Sequence, residues 1–244
     1  MKRIVAIDGD IICYSAAFAA ADEPVHFCLY TVKRMINSIC DATEADEYVC
    51  YLTGKGNFRE EVATLQGYKE NRKDQEKPEH YQAIRDYLVE KHGAIIVDGI
   101  EADDALGIAA CNPEPDAEVV IATIDKDLLM IPGWNYNWRK GEMHYVDIDE
   151  GNWFFANQLF TGDATDNIPG LYKITGQKAT KAIKSQIEVG DSYNDMITTV
   201  RDVYSEYLQD DPTDILNEIG RLLWIQRNPD EVWSLDYEVE DKEG

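Results

Sequence analysis

Apolar residues along this chain gather into short β-rich runs that alternate with stretches of helical period. The first, Ile4-Val5-Ala6-Ile7, reads as a buried strand that ends in Asp8-Gly9-Asp10. Apolar positions continue through Ile11, Ile12, Tyr14 and Phe18 to Ala21, which predicts a sharp turn and then a helix, with Asp8 at the carboxyl end of the strand. A second helix is predicted over about residues 27–39 on Leu29, Val32, Met35, Ile36 and Ile39, and the next strand over residues 48–52, closed by Thr53-Gly54. A helix around Tyr81, Ile84 and Leu88, a strand at 94–97, a helix at 102–110 and a strand at 118–123 then follow in strict alternation. That order predicts βαβ units and a parallel-rich sheet in an α/β fold.

Between these elements, residues 57–77 are polar with a helical centre and few core positions, so they are expected to project from the body. Residues 134–146 read as two short strands around Gly141, and 152–160 as a helix. The remainder is predicted mainly helical, at 193–207 and 215–224, before an acidic end. A boundary near Phe160 follows: an α/β body over 1–160, including the polar segment at about 55–80, and a helical C-terminal part over 161–244.

Composition changes the picture in two places. Five cysteines (Cys13, Cys28, Cys40, Cys50 and Cys111) are odd in number and lack C-x-x-C spacing, so packed, reduced thiols are expected. No run of about 18 apolar residues exists and Lys2-Arg3 leads directly into the first strand, so a cytoplasmic protein without membrane attachment is expected. The net charge of -24 argues against a phosphate-rich partner until its distribution is examined. Residues 185–244 hold 16 acids and 4 bases, which is -12, whereas residues 168–186 hold Lys173, Lys178, Lys181 and Lys184 with no acid. A local basic strip therefore persists on an acidic protein.

Acids recur where the predicted strands end. Asp8 and Asp10 follow the first; Glu101, Asp103 and Asp104 open the helix after the 94–97 strand; Asp125 and Asp127 follow Thr123; Asp163 and Asp166 lie after the 152–160 helix. Ligands of parallel sheets lie beyond strand carboxyl ends. Carboxylates gathered there repel one another unless cations neutralise them, and an oxygen-only set suits Mg²⁺ or Mn²⁺. Each group also has a duller reading. Glu101, Asp103 and Asp104 can cap their helix, Asp10 can be the N-cap of the helix at Ile11, and Asp163 and Asp166 can cap a turn. Lys69, Arg72 and Lys73 can form a salt-bridged surface, since residues 55–91 balance 8 bases against 8 acids. In the stretch 159–183, Gly170 breaks the chain and Gly176 is read as opening a lysine-bearing helix, a phosphate-binding arrangement.

These residues, taken in order, resemble a known family. Asp8-Gly9 after a strand, Phe58-Arg59, Tyr68-Lys69-x-Asn71-Arg72, Glu101-Ala-Asp103-Asp104, Asp125-Lys-Asp127 and Gly162-Asp163-x-x-Asp166-Asn167-Ile168-Pro169-Gly170 are similar to the motifs of structure-specific 5′ nucleases. The family includes bacteriophage 5′-3′ exonucleases and flap endonucleases, and the 5′-nuclease domain of bacterial DNA polymerase I. With no polymerase region following, a free-standing, phage-type replication enzyme is expected.

The resemblance implies a PIN-like 5′-nuclease fold with a helical arch and a C-terminal helix-turn-helix-type DNA-binding region. It implies two Mg²⁺ or Mn²⁺ ions held by Asp8, Glu101, Asp103, Asp104, Asp125, Asp127, Asp163 and Asp166. It also implies arch residues Lys69 and Arg72 on the scissile phosphate, Tyr68 stacked on a base, and Gly170, Gly176, Lys178 and Lys181 holding duplex DNA. DNA, with RNA/DNA hybrids as a further possibility, is the expected partner of a monomer. Two departures stand out. Thr53-Gly54 lacks the acid that related enzymes carry after the second strand, so Asp10 or the Thr53 hydroxyl is a substitute. The hairpin at 169–176 is one residue longer than the polymerase-type pattern and lacks a middle glycine, which counts against a K⁺ ion there.

Hydrolysis at 5′ ends or 5′ flaps is thus the expected activity. One alternative is a haloacid-dehalogenase-like phosphatase, with Asp8 as nucleophile, Asp10 as acid and Asp163 and Asp166 on Mg²⁺. Another is a non-catalytic protein that binds branched DNA.

Overall fold

The computed structural model describes residues 1–236, so Glu238, Glu240, Asp241 and Glu243 of the expected acidic end lie outside the described residues. Contacts divide the chain into two compact units. The first comprises Met1–Asn57, Gln75–Val146 and Ile225–Pro229, and the second Phe58–Asp74, Asp147–Trp224 and Asp230–Gly244. The chain therefore passes between units several times, instead of once near residue 160.

The first unit is built on β1 (Lys2–Asp8), β2 (Glu47–Asn57), β3 (Ile95–Gly99), β4 (Ala117–Ala122), β5 (Gly133–Asn137) and β6 (Glu142–Val146), in the order β3-β2-β1-β4-β5-β6. All pairings are parallel except β5 with β6, the hairpin expected around Gly141. Parallel neighbours need crossovers: α1 (Gly9–Ala19), α2 (Val25–Thr43), α4 (Tyr81–His92) and α5 (Ala102–Cys111) provide those up to β4, and a 3-10 turn, Asp127–Met130, lies in the one from β4 to β5. Val5 and Ile7 pack into a cluster with Ile12, Val32, Ile36, Leu52, Ile84 and Leu88, while Ala6 is buried from the other side. With both faces covered, β1 reads as a continuous apolar run, and this placed it in the sequence. Residues 225–229 lie across α5 so closely that a Cβ on Gly107 would stand 2.5 Å from the Gln226 carbonyl oxygen.

The second unit is helical: α3 (Phe58–Val62), α6 (Ile148–Thr161), α7 (Leu171–Thr175), α8 (Lys181–Lys184), α9 (Tyr193–Leu208) and α10 (Thr213–Leu223). A capping box between Asp147 and Glu150 starts α6, and Ser192 caps α9. The arch is less helical than the motif implied. After α3, the segment up to His80 holds a single 3-10 turn, Glu70–Arg72, because it offers no apolar stripe for a helix to bury. Nor does it project: Thr64 donates its hydroxyl to the Glu218 carboxylate, and the Leu65 N–H reaches Glu218 at 2.6 Å. Arg59 is buried and donates to the carbonyls of Leu222 (3.0 Å) and Trp224 (2.7 Å), satisfying the carboxyl end of α10. Where a helix-turn-helix-type region was expected, residues 170–184 hold two one-turn helices, α7 and α8, and Gly176 (φ 78°) closes α7 instead of opening α8, which Thr180 caps.

Trp233 (1 % exposed) lies flat against Gly220 and donates its indole N–H to the Tyr193 hydroxyl at 2.6 Å. A Cβ on Gly220 would sit 2.0 Å from the Trp233 ring. Gly220→Ala is therefore expected to destabilise the protein by about 1–3 kcal/mol through overpacking. A urea midpoint equal to that of the parent would show that the ring moves aside freely.

Candidate functional site

In the first unit the site grows from the end of β1. With no loop before α1, Asp8 is both the last strand residue and the helix N-cap, accepting the Ile11 N–H at 3.0 Å. Asp10, expected to be that cap, sits two residues further on, within the first turn of α1. Gly9 is required at the junction, since a Cβ there would stand 2.5 Å from the Tyr51 carbonyl oxygen. The second oxygen of Asp8 accepts the Thr123 hydroxyl at 2.8 Å, and the same Thr123 oxygen accepts the Asp125 N–H at 3.0 Å. Asp8 is 2 % exposed. Burial pushes its carboxyl up to about 7, with help from the charges of Asp10 and Asp125 and against the Ile11 and Thr123 hydrogen bonds.

The other acids of this unit are held in distinct ways. Asp125 accepts the Asp127 N–H at 2.9 Å, which fixes the loop after β4, and Asp127 meets the exposed Lys126 ammonium at 3.1 Å. Glu101 and Asp104 form a reciprocal capping box at the start of α5. Asp104 is fully buried, and its oxygens accept the Glu101 N–H at 3.0 Å and the Gln226 N–H at 3.1 Å. Asp103 lies in the first turn of α5.

Near the end of β2, where the resemblance led to the expectation of an acid, a polar knot stands instead. The Thr53 hydroxyl accepts the Ala102 N–H at 2.9 Å, at the first turn of α5, and the Thr53 N–H donates to Asp10 at 2.9 Å. Arg85 pairs with Asp10 at 3.2 Å and donates to the Thr53 carbonyl. Thr123 and Arg85 were not singled out from the sequence. Thr123 could have been found by its place at a strand end two residues before Asp125, whereas Arg85 had no signal.

Among the described residues, no three His, Cys, Asp or Glu side chains are arranged to close on a metal ion. The donor chemistry nonetheless suits a hard divalent cation. Asp8 is a carboxyl raised chiefly by burial and further by the neighbouring acids, and all the donors are oxygens. Asp8 and Asp125 carry that fit, while Asp104 and Glu101 spend lone pairs on backbone N–H groups.

In the second unit the motif Tyr68-Lys69-x-Asn71-Arg72 clasps the turn at 163–168. Asp166 accepts the Tyr68 hydroxyl at 3.0 Å, meets the Lys69 ammonium at 3.4 Å and is paired with Arg72. Arg72 and Asn71 also donate to the Thr165 carbonyl, at 2.8 and 3.2 Å, and the Lys69 N–H to that of Asp166 at 2.9 Å. Asp163 accepts the Thr165 N–H at 2.7 Å, so its turn-capping reading holds. Gly162 and Gly170 cross so tightly that a Cβ on Gly162 would stand 2.5 Å from the Gly170 nitrogen. Lys173, Lys178 and Lys181 are exposed.

The family described as the 5′-3′ exonuclease, N-terminal resolvase-like domain, matches residues 3–150. DNA polymerase I of Bacillus caldotenax is 28 % identical over 206 residues, which cover 75 % of this chain and 23 % of that polymerase. The 5′-3′ exonuclease of Buchnera aphidicola subsp. Schizaphis graminum is 25 % identical over 215 residues, covering 80 % and 74 %. The chain thus spans about a quarter of the length of the polymerase relatives it matches. Among solved structures, T5 5′-exonuclease with bound divalent metal ions (zinc) superposes with a TM-score of 0.59 at 15 % identity, over 91 % of this chain and 89 % of that one. At that identity the likeness is one of fold.

The raised Asp8 carboxyl has a stability consequence of definite sign. A carboxyl raised on folding contributes stability that is complete below its ordinary value of 3.8 and is lost as pH rises through about 7. Asp8→Asn, which cannot ionise, is therefore expected to raise the urea midpoint at pH 8 in EDTA. The gain should be on the order of a few kcal/mol and shrink toward pH 4. Equal gains at both pH values would remove burial of charge as the cause.

Proposed function

The chain belongs to the 5′-3′ exonuclease family, and on that premise we propose that it hydrolyses DNA phosphodiesters at 5′ ends or 5′ flaps with divalent metal as cofactor. The observation that carries this reading is Asp8, buried at the carboxyl end of β1 and joined through Thr123 to Asp125. Acids so placed need a cation more than they serve the fold. The metal set proposed is Asp8, Asp103, Asp125 and Asp127, with Glu101 and Asp104 also holding the start of α5. Asp163 and Asp166 are assigned to it on the resemblance alone. Mg²⁺ or Mn²⁺, two ions in all, would supply Lewis acidity at the phosphate and neutralise charge.

The chain's own side chains have complementary roles. Thr123 donates its proton to Asp8 and so aims the other lone pairs of that carboxylate. Lys69 and Arg72 offset negative charge on the scissile phosphate, exchanging the Asp166 carboxylate for phosphate oxygens of similar geometry. Tyr68 offers a ring for a base near the cut. Lys178 and Lys181, with Gly170 and Gly176 setting the backbone between α7 and α8, contact the duplex phosphates. With few such lysines on an acidic chain, binding falls as salt rises.

The phosphatase alternative loses its acid, because Asp10 is bound to Arg85 and the Thr53 N–H. The test against a pure binder is cleavage of a 5′-labelled flap substrate with Mg²⁺ and with EDTA. Asp125→Asn is expected to lower Mg²⁺-dependent cleavage by about 10–100-fold or more while leaving binding of the flap substrate in EDTA within about twofold. A wild-type protein that binds the flap but never cuts it would refute the nuclease reading.

A further inference from the structure

A cavity of about 310 Å³ opens in the first unit against α2, lined by Thr31, Arg34, Met35, Ser38, Ile39 and Trp138. Nothing in the proposed cleavage reaction uses it. Thr31, Arg34, Met35 and Ser38 fall at helical spacing on one stripe of α2, and Trp138 follows β5 in the turn to β6. That turn is pinned: Asn137 accepts the Arg139 and Lys140 N–H groups, each at 3.1 Å, and the Gly141 N–H donates to its carbonyl at 2.8 Å. Trp138 is therefore presented by a fixed backbone.

The charge of this region is opposite to that of the chain. In a sequence of 47 acids and 23 bases, Arg34, Arg139 and Lys140 are exposed and have no carboxylate partner among the described residues. Trp138 packs in part against the core of this unit, and the rest of its indole borders the opening beside a guanidinium and two hydroxyls. The volume suits one small ligand. An indole face offers stacking to a flat ring, Arg34 offers charge to a phosphate, and Ser38 and Thr31 offer hydroxyls to a sugar or base edge. Tyr136, two residues before Trp138, accepts the Thr123 N–H at 3.2 Å, so the turn leaves the sheet at the edge where Thr123 holds Asp8.

We propose that the cavity between α2 and the β5–β6 turn is a subsite for one nucleotide unit, with Trp138 stacking on the base and Arg34 holding its phosphate. The choice of a DNA strand as the source rests on the nuclease reading, and free nucleotide is the other source of the same chemistry.

The experiment measures binding in EDTA, so cleavage plays no part. Fluorescence anisotropy of a labelled oligothymidylate is followed for wild type, Trp138→Ala, Trp138→Phe and Arg34→Gln, with thymidine monophosphate as competitor. Trp138→Ala is expected to weaken binding about tenfold, and Trp138→Phe to restore most of it. Arg34→Gln is expected to reduce the slope of log K against log salt by about one. Competition by the mononucleotide at the wild-type site identifies a pocket that takes free nucleotide as well. Its absence, with the variant effects intact, identifies a strand-only subsite. Oligonucleotide binding that is absent in wild type, or unchanged in Trp138→Ala and Arg34→Gln, overturns the proposal. If wild type cuts flaps while these variants bind normally, only the subsite fails. If it binds through Trp138 yet cuts nothing, only the nuclease reading fails.

Discussion

The first unit is arranged around a carboxyl group that would be more stable in water. Asp8 ends the strand that β2 and β4 flank, where Val5 and Ile7 are wholly buried, and its oxygens find an N–H from α1 and a hydroxyl from Thr123. Two hydrogen bonds do not compensate a buried charge fully, which is why the group holds its proton to about pH 7. The surroundings follow from that placement. Gly9 must lack a side chain to let α1 begin at once, Thr123 must carry a hydroxyl, and Asp125 must hold its loop in register. A carboxyl so costly for folding and so well oriented has the oxygen-donor chemistry that suits a divalent cation.

Electrostatics in the second unit follow a related logic at the surface. Asp166 gathers a phenol, an ammonium and a guanidinium from one short segment, so the 67–72 stretch is ordered by an anion where helix propensity fails. Cations ordered around a carboxylate can also take phosphate, because each anion presents a pair of oxygens to which a guanidinium donates two parallel N–H bonds. A chain with a net charge of -24 can therefore carry local sites for a polyanion, provided each keeps its cations from the surrounding acids. The turn after β5 follows the same rule with Arg139 and Lys140.

The polar knot around Thr53 closes the end of β2 without an acid. Without an acid after β2, the Thr53 hydroxyl caps α5, and Asp10 takes a fixed cation in Arg85. The end of the sheet thus contains an internal positive charge beside Asp10.

The sequence by itself determined the alternation of strands and helices, the parallel sheet, the hairpin at Gly141 and the sheet-edge position of Asp8, Glu101 and Asp125. These rest on hydrophobic period and strand-to-helix order, which are local properties. Only the tertiary structure decided which acid caps α1, that Asp104 is spent on Gln226, that Arg85 answers Asp10, and that Gly176 closes a helix. It also decided that the arch segment is a loop clasped by Asp166. Apart from the α1 cap, which turns on the one residue at which β1 gives way to α1, each of these is a pairing between residues tens of positions or more apart, or a φ value, and none leaves a periodic trace in the chain.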